Sequence, residues 1–252
     1  MNGYVQSTTE NNITTIEFFH PSSNALPIAI LNELAAVITQ EGENPESVII
    51  ILKSGGEKTF CAGASFDELM AISTLEEGTI FFSGFASVLN AMRRCPKLII
   101  GRVQGKAVGG GVGLAASADY CFATKYASIK LSELAIGIGP FVVGPAIERK
   151  IGLSALSQLA INATEFQSAA WAAQQGLYAE VFESTKEMDK AIEALAQKLI
   201  ASSPEAMRQI KRIFWENYQH WDELLPQRAA ISGALVLSDF TREALKAFIF
   251  PS

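Results

Sequence analysis

Histidine is nearly missing from this chain: His20 and His220 are the two in 252 residues. The three cysteines, Cys61, Cys95 and Cys121, show no C-x-x-C spacing. No metal-ligand cluster is visible, and none is expected. A Cys-His nucleophile is excluded in its simple form, because no histidine lies near Cys61 in sequence and small buried cysteines are common core residues. Charged residues make up 18% of the chain and the net charge is -6, which argues against general nucleic-acid binding. No apolar run reaches about 18 residues, so no membrane span is expected. The polar N-terminus lacks a basic stretch followed by an apolar one, so no secretory signal is evident. Unpatterned cysteines fit a reducing compartment, and a cytoplasmic location is expected. No linker, low-complexity segment or G-x-x-x-x-G-K-[ST] phosphate loop occurs. At 49% hydrophobic, the chain can bury a large core in one or two closely packed domains.

What is present in quantity is glycine at one place. Residues 103–116 read VQGKAVGGGVGLAA, a buried strand turning into a helix through Gly109, Gly110 and Gly111. Glycine lets backbone N–H groups approach a ligand closely, and a helix start presents unpaired N–H groups at a positive dipole end. The site suits a negative charge: a phosphate, or an oxyanion formed during a reaction. Gly111, Gly113 and Ala116 satisfy G-x-G-x-x-[GA], but two strand–helix units precede them. The strand at 120–124 is followed by no acid before Glu133. A dinucleotide site is therefore a weak reading.

A second turn supports the oxyanion. The apolar, β-branched run at 48–52 reads as a buried parallel strand. The small residues Cys61-Ala-Gly-Ala64 follow, and Ser65 is placed to cap a helix. Two N–H groups from separate turns, converging on one oxygen, form an oxyanion hole in which each donor contributes about 2.7–4 kcal/mol to the transition state. Two ordinary strand-to-helix turns that need small residues for packing are the other reading.

Alternation predicts a hairpin of strands at 4–8 and 13–19 around Glu10-Asn-Asn12. A helix is expected from Pro27 to about Gln40, with Leu31, Leu34, Ala35 and Ile38 on one face. Helices are expected between Ser65 and Arg94 and from about Val142, and strands at 98–103, 120–124, 128–131 and 178–182. From Ser184 the pattern predicts four helices, at 185–201, 204–218, 222–237 and 240–248, with Ser203-Pro204 as a start signal. His20 reads as structural. Trp215, Tyr218, His220 and Trp221 read as packing or interface residues.

Four segments together resemble the crotonase (enoyl-CoA hydratase/isomerase) superfamily over nearly the whole chain. They are HPSSNAL at 20–26, KTFCAGA at 58–64, GKAVGGGVGLAA at 105–116 with Asp119, and LSELAIGIGP at 131–140. The resemblance implies an α/β fold, a spiral of repeated ββα units (1–183, carrying the CoA and oxyanion site) followed by a C-terminal helical oligomerisation or lid region (184–252). It implies that the amides of Ala64 and Gly110 bind the thioester oxygen of an acyl-CoA. The backbone around Ala62 and Gly63 would meet the adenine, and the turn at Ser22, Ser23, Ala25 and Leu26 the pantetheine and phosphates. Gly109, Pro140 and Phe141 would also contact the substrate. No cofactor is implied beyond the CoA of the substrate, and a homo-oligomer, trimer or dimer of trimers, is expected.

The chain departs from the family's pattern at three points. Gly113 stands where many hydratases carry a glutamate, Ser65 replaces an acid, and the sequence ends without the basic tail common in relatives. Lys246 and Arg242 are then the candidates for C-terminal CoA contacts. Glu133 is the carboxylate left for chemistry, and burial in its apolar stretch would raise its pKa toward neutrality; the alternative is a surface acid at a strand end. Glu148, Asp67 and Glu68 read as charged helix faces, and Asp119 as a residue that orders a turn. Phe66, Met70, Phe81, Phe82, Phe85 and Phe141 form an acyl pocket or simply core. One carboxylate fits either a double-bond isomerase or a hydratase. The residue count favours the first. The loop GIGPFVVGP at 137–145, which resembles that of branched glutaconyl-CoA-type hydratases, favours the second. A non-catalytic acyl-CoA-binding relative that kept the fold and lost the acid at 113 is a third reading, against which Glu133 beside two intact turns speaks.

Overall fold

The computed structural model describes residues 3–249. Strands β1 (Tyr4–Glu10) and β2 (Ile13–Phe19) form the antiparallel hairpin. Its turn is Asn11-Asn12, both at positive φ (50° and 65°), the backbone that a tight hairpin requires and asparagine tolerates. Then come β3 (Ala25–Leu26), α1 (Ile28–Gly42), β4 (Ile49–Ser54), β5 (Thr59–Cys61), β6 (Gly63–Ala64), α2 (Phe66–Ala71) and α3 (Leu75–Arg94). The chain continues through β7 (Ile99–Val103), β8 (Lys106–Val108), α4 (Gly110–Ser117), β9 (Tyr120–Thr124), β10 (Ile129–Lys130) and a single 3-10 turn, Glu133–Ile136. It ends with α5 (Gly144–Ile161), α6 (Ala169–Gln174), β11 (Glu180–Phe182), α7 (Thr185–Ile200), α8 (Pro204–Trp215), α9 (Trp221–Leu235) and α10 (Asp239–Ile249).

The main sheet has the order β1-β2-β4-β7-β9-β11, parallel from β2 onward. Its inner strands are apolar on both faces, as a covered parallel sheet demands: Ile49, Ile50, Ile99 and Ile100 are all buried. A second layer holds the parallel sheet β10-β8-β5 and the two-residue pair β3-β6. Each turn of the chain thus lays one strand in the main sheet, one short strand in the second layer, and then a helix. This is the expected spiral of ββα units. The helices beyond residue 184 pack back onto it. Met188, Ile192 and Ala196 of α7 cover Ile49, Ile100 and Phe122 on the outer face of the sheet, and α9 lies along α3.

Several boundaries move for physical reasons. The helices expected between Ser65 and Arg94 are two, as they stand in the fold. The first is capped by Ser65, and the second by a Thr74–Glu77 capping box. Pro27 caps α1 rather than starting it, and Glu68 Oε2 accepts from the Ile28 amide (2.8 Å), supplying the anion that a helix start favours. α5 begins at Gly144 and is broken at Gly152, whose φ of 78° no helix accommodates. Tyr178 lies before the last strand, buried, its hydroxyl donating to the Ala127 carbonyl. Residues 250–252, where the sequence ends without a basic tail, lie outside the described residues.

Candidate active site

The pair β3-β6 is the smallest element of the fold and anchors the site. Leu26 is in register with Ala64, and the Ser65 amide donates to the Leu26 carbonyl. Asn24 fixes this pair from below. It is buried with φ 56°, accepts from the His20 amide, and donates to the carbonyls of Gly55 and Thr59 (both 2.9 Å). The second turn stands against the first. A Cβ on Gly63 would lie 3.8 Å from the Gly110 nitrogen, so the two turns that carry Ala64 and Gly110 are in contact. Gly109 adopts φ 52°, ψ -112° and leads directly into α4. The first N–H groups of α4, Gly110 among them, have no acceptor within the helix. Gly110 packs beneath the Phe85 ring, with no room for a methyl group between them.

Glu133 opens the 3-10 turn after β10, and β10 runs beside β8 with Lys130 opposite Val108. That register brings the carboxylate to the oxyanion turn: a Cβ on Gly109 would lie 2.9 Å from Glu133 Oε1. The residue as a whole is only half-buried, but its Oε2 is sealed from solvent and has no hydrogen-bond partner. Burial pushes its pKa up to about 7, so both protonation states are populated near neutrality.

Both turns and Glu133 line one cavity of about 300 Å³. Its walls are aromatic and aliphatic, including Phe66, Phe81, Phe82, Phe85, Phe141 and Ile138. Among the described residues, Glu133 is its only charged residue, Ser132 and Ser232 supply the side-chain hydroxyls, and no lysine, arginine or histidine lines it. The expected site residues Ala25, Ala62, Gly63, Ala64, Phe66, Gly109, Gly110, Pro140 and Phe141 all meet there. Others do not. Ser22 and Ser23 lie on the exposed turn before β3, Leu26 is fully buried in the core, and Met70 packs beside the cavity without lining it. Lys246 and Arg242 are exposed on α10.

The position of the missing second acid is filled. A Cβ on Gly113 would lie 2.8 Å from Val143 Cγ1, and Val143 lines the cavity. Cys61 is fully buried and its thiol is pushed up to about 12, which removes it as a nucleophile. Asp119 is buried and structural, accepting from the Ile99 amide, Lys211 Nζ (2.6 Å) and Trp215 Nε1. Glu148 is exposed. Sequence reasoning missed Val143 and Ser232, which reach the cavity through packing that no local pattern encodes. Among the described residues no cluster of three or more His, Cys, Asp or Glu is arranged to hold a metal, and no helix is long and apolar enough to cross a membrane.

A ββα spiral with two amide-bearing turns facing one carboxylate defines a crotonase-type enzyme. The chain matches the enoyl-CoA hydratase/isomerase family over residues 8–248, and it belongs to that family. It is 28% identical to the peroxisomal Delta(3,5)-Delta(2,4)-dienoyl-CoA isomerase of Arabidopsis thaliana, covering 96% of this chain and 92% of that protein. It is also 28% identical to the short-chain-enoyl-CoA hydratase of Clostridium acetobutylicum, covering 95% and 92%. The structure of an enoyl-CoA hydratase from Bacillus halodurans superposes with a TM-score of 0.88 over 97% of this chain and 99% of that one, at 19% identity.

Proposed function

We propose that this enzyme hydrates a 2-enoyl-CoA ester with Glu133 as its single carboxylate. The observation that carries the reading is the Glu133 carboxyl, unpartnered at Oε2, held near pH 7 and packed against the turn that presents the Gly110 amide. Glu133 takes a proton from water as the water oxygen bonds to C3. The C2–C3 π electrons move through C1 onto the thioester oxygen, giving an enolate that the Ala64 and Gly110 amides stabilise. The enolate collapses and C2 takes the proton back from Glu133. The net change is addition of water, and one carboxylate completes the cycle. Ser132 and Ser232 are the hydroxyls in the cavity that can hold the attacking water. The short-chain-enoyl-CoA hydratase relative and the loop at 137–145 support hydration.

The cavity also bears on the acyl group. A distal carboxylate of the glutaconyl type would find no cation on these walls, and a buried unpaired charge is expensive. A neutral chain, branched or straight, fits better. No cofactor is needed beyond the CoA of the substrate, whose phosphates have Lys246 and Arg242 within the C-terminal helix as candidate partners. A trimer or dimer of trimers accounts for Ile210, Ile213 and Phe214, exposed on α8; a monomer in light scattering would refute it.

A second reading, double-bond isomerisation, is favoured by the apolar walls and by Val143 in the space beside Gly113. Glu133 would then carry a proton between C2 and C4. Mass spectrometry in heavy water separates the two, using 2-enoyl-, 3-enoyl- and branched esters with Glu133→Gln as control. Gain of water that depends on Glu133 supports hydration. Bond migration without water establishes the isomerase, and full turnover by Glu133→Gln overturns both.

A further inference from the structure

Two glycines draw α9 against α3. A Cβ on Gly78 would lie 2.8 Å from the Gly233 Cα, and one on Gly233 would lie 2.7 Å from the Thr79 nitrogen. Further along, Asn90 Nδ2 donates to the Trp221 carbonyl and Arg93 pairs with Asp222. α9 is therefore fixed in depth and in rotation, and the residue beside its contact glycine is Ser232. Ser232 is 1% exposed and lines the same cavity as Glu133 and Gly110. A helical serine ordinarily returns its hydroxyl to the carbonyl one turn back. This hydroxyl makes no hydrogen bond to a described residue, and it is not sealed off from the cavity as Glu133 Oε2 is.

A position this tightly set, with an open valence toward a ligand cavity, is suited to a group that the ligand brings. The character of that group follows from the rest of the wall. With no cation lining the cavity, a carboxylate or phosphate is disfavoured there, while a neutral oxygen is not. The rings of Phe81, Phe82 and Phe85, which line the same cavity, offer no competing hydrogen bond.

We propose that Ser232 hydrogen-bonds a neutral oxygen on the acyl chain and so selects 3-hydroxyacyl-CoA esters over esters with an unsubstituted chain. The proposal rests on the hydration reading, because hydration supplies that oxygen: the attacking water before reaction and the 3-hydroxyl after it. Ser232 is a specificity residue in this scheme, and Glu133 remains the group that moves the proton.

The test is calorimetric. Dissociation constants for butyryl-CoA and for both stereoisomers of 3-hydroxybutyryl-CoA are measured on the intact protein, on Ser232→Ala and on Ser232→Thr. The quantity read is the ratio of the two constants within each protein, so a general loss of stability or affinity cancels. The intact protein is expected to favour one hydroxy ester by roughly three- to tenfold. Ser232→Ala is expected to bring the ratio to about one, and Ser232→Thr, which keeps the hydroxyl, to restore most of it. A ratio near one in the intact protein, or an equal ratio in Ser232→Ala, overturns the proposal. Water uptake by the intact enzyme is scored separately in heavy water. Uptake without a Ser232-dependent ratio sinks the Ser232 assignment alone. A Ser232-dependent ratio without uptake sinks the hydration reading and leaves the oxygen-selecting hydroxyl standing.

Discussion

Replacing Glu133 by glutamine should stabilise the folded protein by an amount that grows as pH rises from about 4.5 to about 7. Burial holds the Glu133 carboxyl at about 7 against 4.5 for the free side chain. Below pH 4.5 folded and unfolded chains both keep the proton, and folding costs nothing at this group. Between 4.5 and 7 the folded state keeps a proton that the unfolded chain releases, so stability falls as pH rises. Above 7 the loss is complete, and at about 1.36 kcal/mol per decade of pKa it amounts to about 3 kcal/mol. Glutamine has the shape of the protonated acid and no proton to lose. Glu133→Gln should therefore nearly match the parent protein at pH 4, exceed it by somewhat under about 1 kcal/mol at pH 5, and exceed it by about 3 kcal/mol at pH 8. Guanidinium denaturation followed through the buried Trp215 and Trp221, at fixed protomer concentration, reads this difference. Turnover moves the other way. kcat/KM of the parent should rise with pH through about 7 as the base form fills, and the variant should be inactive throughout. A stability difference equal at pH 4 and pH 8 would show that the carboxyl is not held in a desolvated site, and the acid–base assignment would lose its physical basis.

The remaining expectations concern the frame around that carboxyl. Gly110→Ala drives a methyl group into the Phe85 ring. It should cost about 1–3 kcal/mol in stability through overpacking and at least about 100-fold in kcat by displacing an oxyanion donor, as steady-state kinetics beside a denaturation curve will show. Asp119→Ala strands Lys211, which is 2% exposed, and orphans the Ile99 amide. A loss of about 3–5 kcal/mol is expected, and an unchanged denaturation midpoint would contradict the buried pair. All three cysteines are buried, with the Cys61 and Cys121 thiols pushed up to about 12. Ellman's reagent should find no fast-reacting thiol until the protein is unfolded, and rapid modification of Cys61 with loss of turnover would reopen covalent catalysis.

The parts of the fold legible in the sequence are those whose signal is local. The runs that became β4, β7 and β9 are apolar because both faces of an inner parallel strand are covered. Ser65 and Ser203 announced helix starts because capping is a contact between near neighbours in the chain. The site is otherwise. β3 and β6 are two residues each, too short for any periodicity, yet they carry Leu26 and Ala64 into register. The Glu133 carboxyl is raised by what surrounds it, and its neighbour Gly109 comes from another strand. Asn24 could be quoted from the sequence within a family segment. Its role of tying the first turn to Gly55 and Thr59 rests on contacts between distant residues.

Gly113 shows what the structure adds to a visible absence. In the sequence it is a missing acid, and the bland interpretation is a lost function. In the fold the space beside it is taken by the Val143 side chain, close enough to leave no room for a Cβ. Val143, just before α5, occupies the volume that a side chain at 113 would need. A lost residue leaves a hole, and cavities in a core are costly. A replaced one leaves normal packing, as here. On the proposed reading, the Ala64 and Gly110 turns and the raised pKa of Glu133 belong to a site of a different design. That design would ask one acid–base group to both take and return the proton, in keeping with a cavity wall that, among the described residues, is apolar almost everywhere except at Glu133 and two serines.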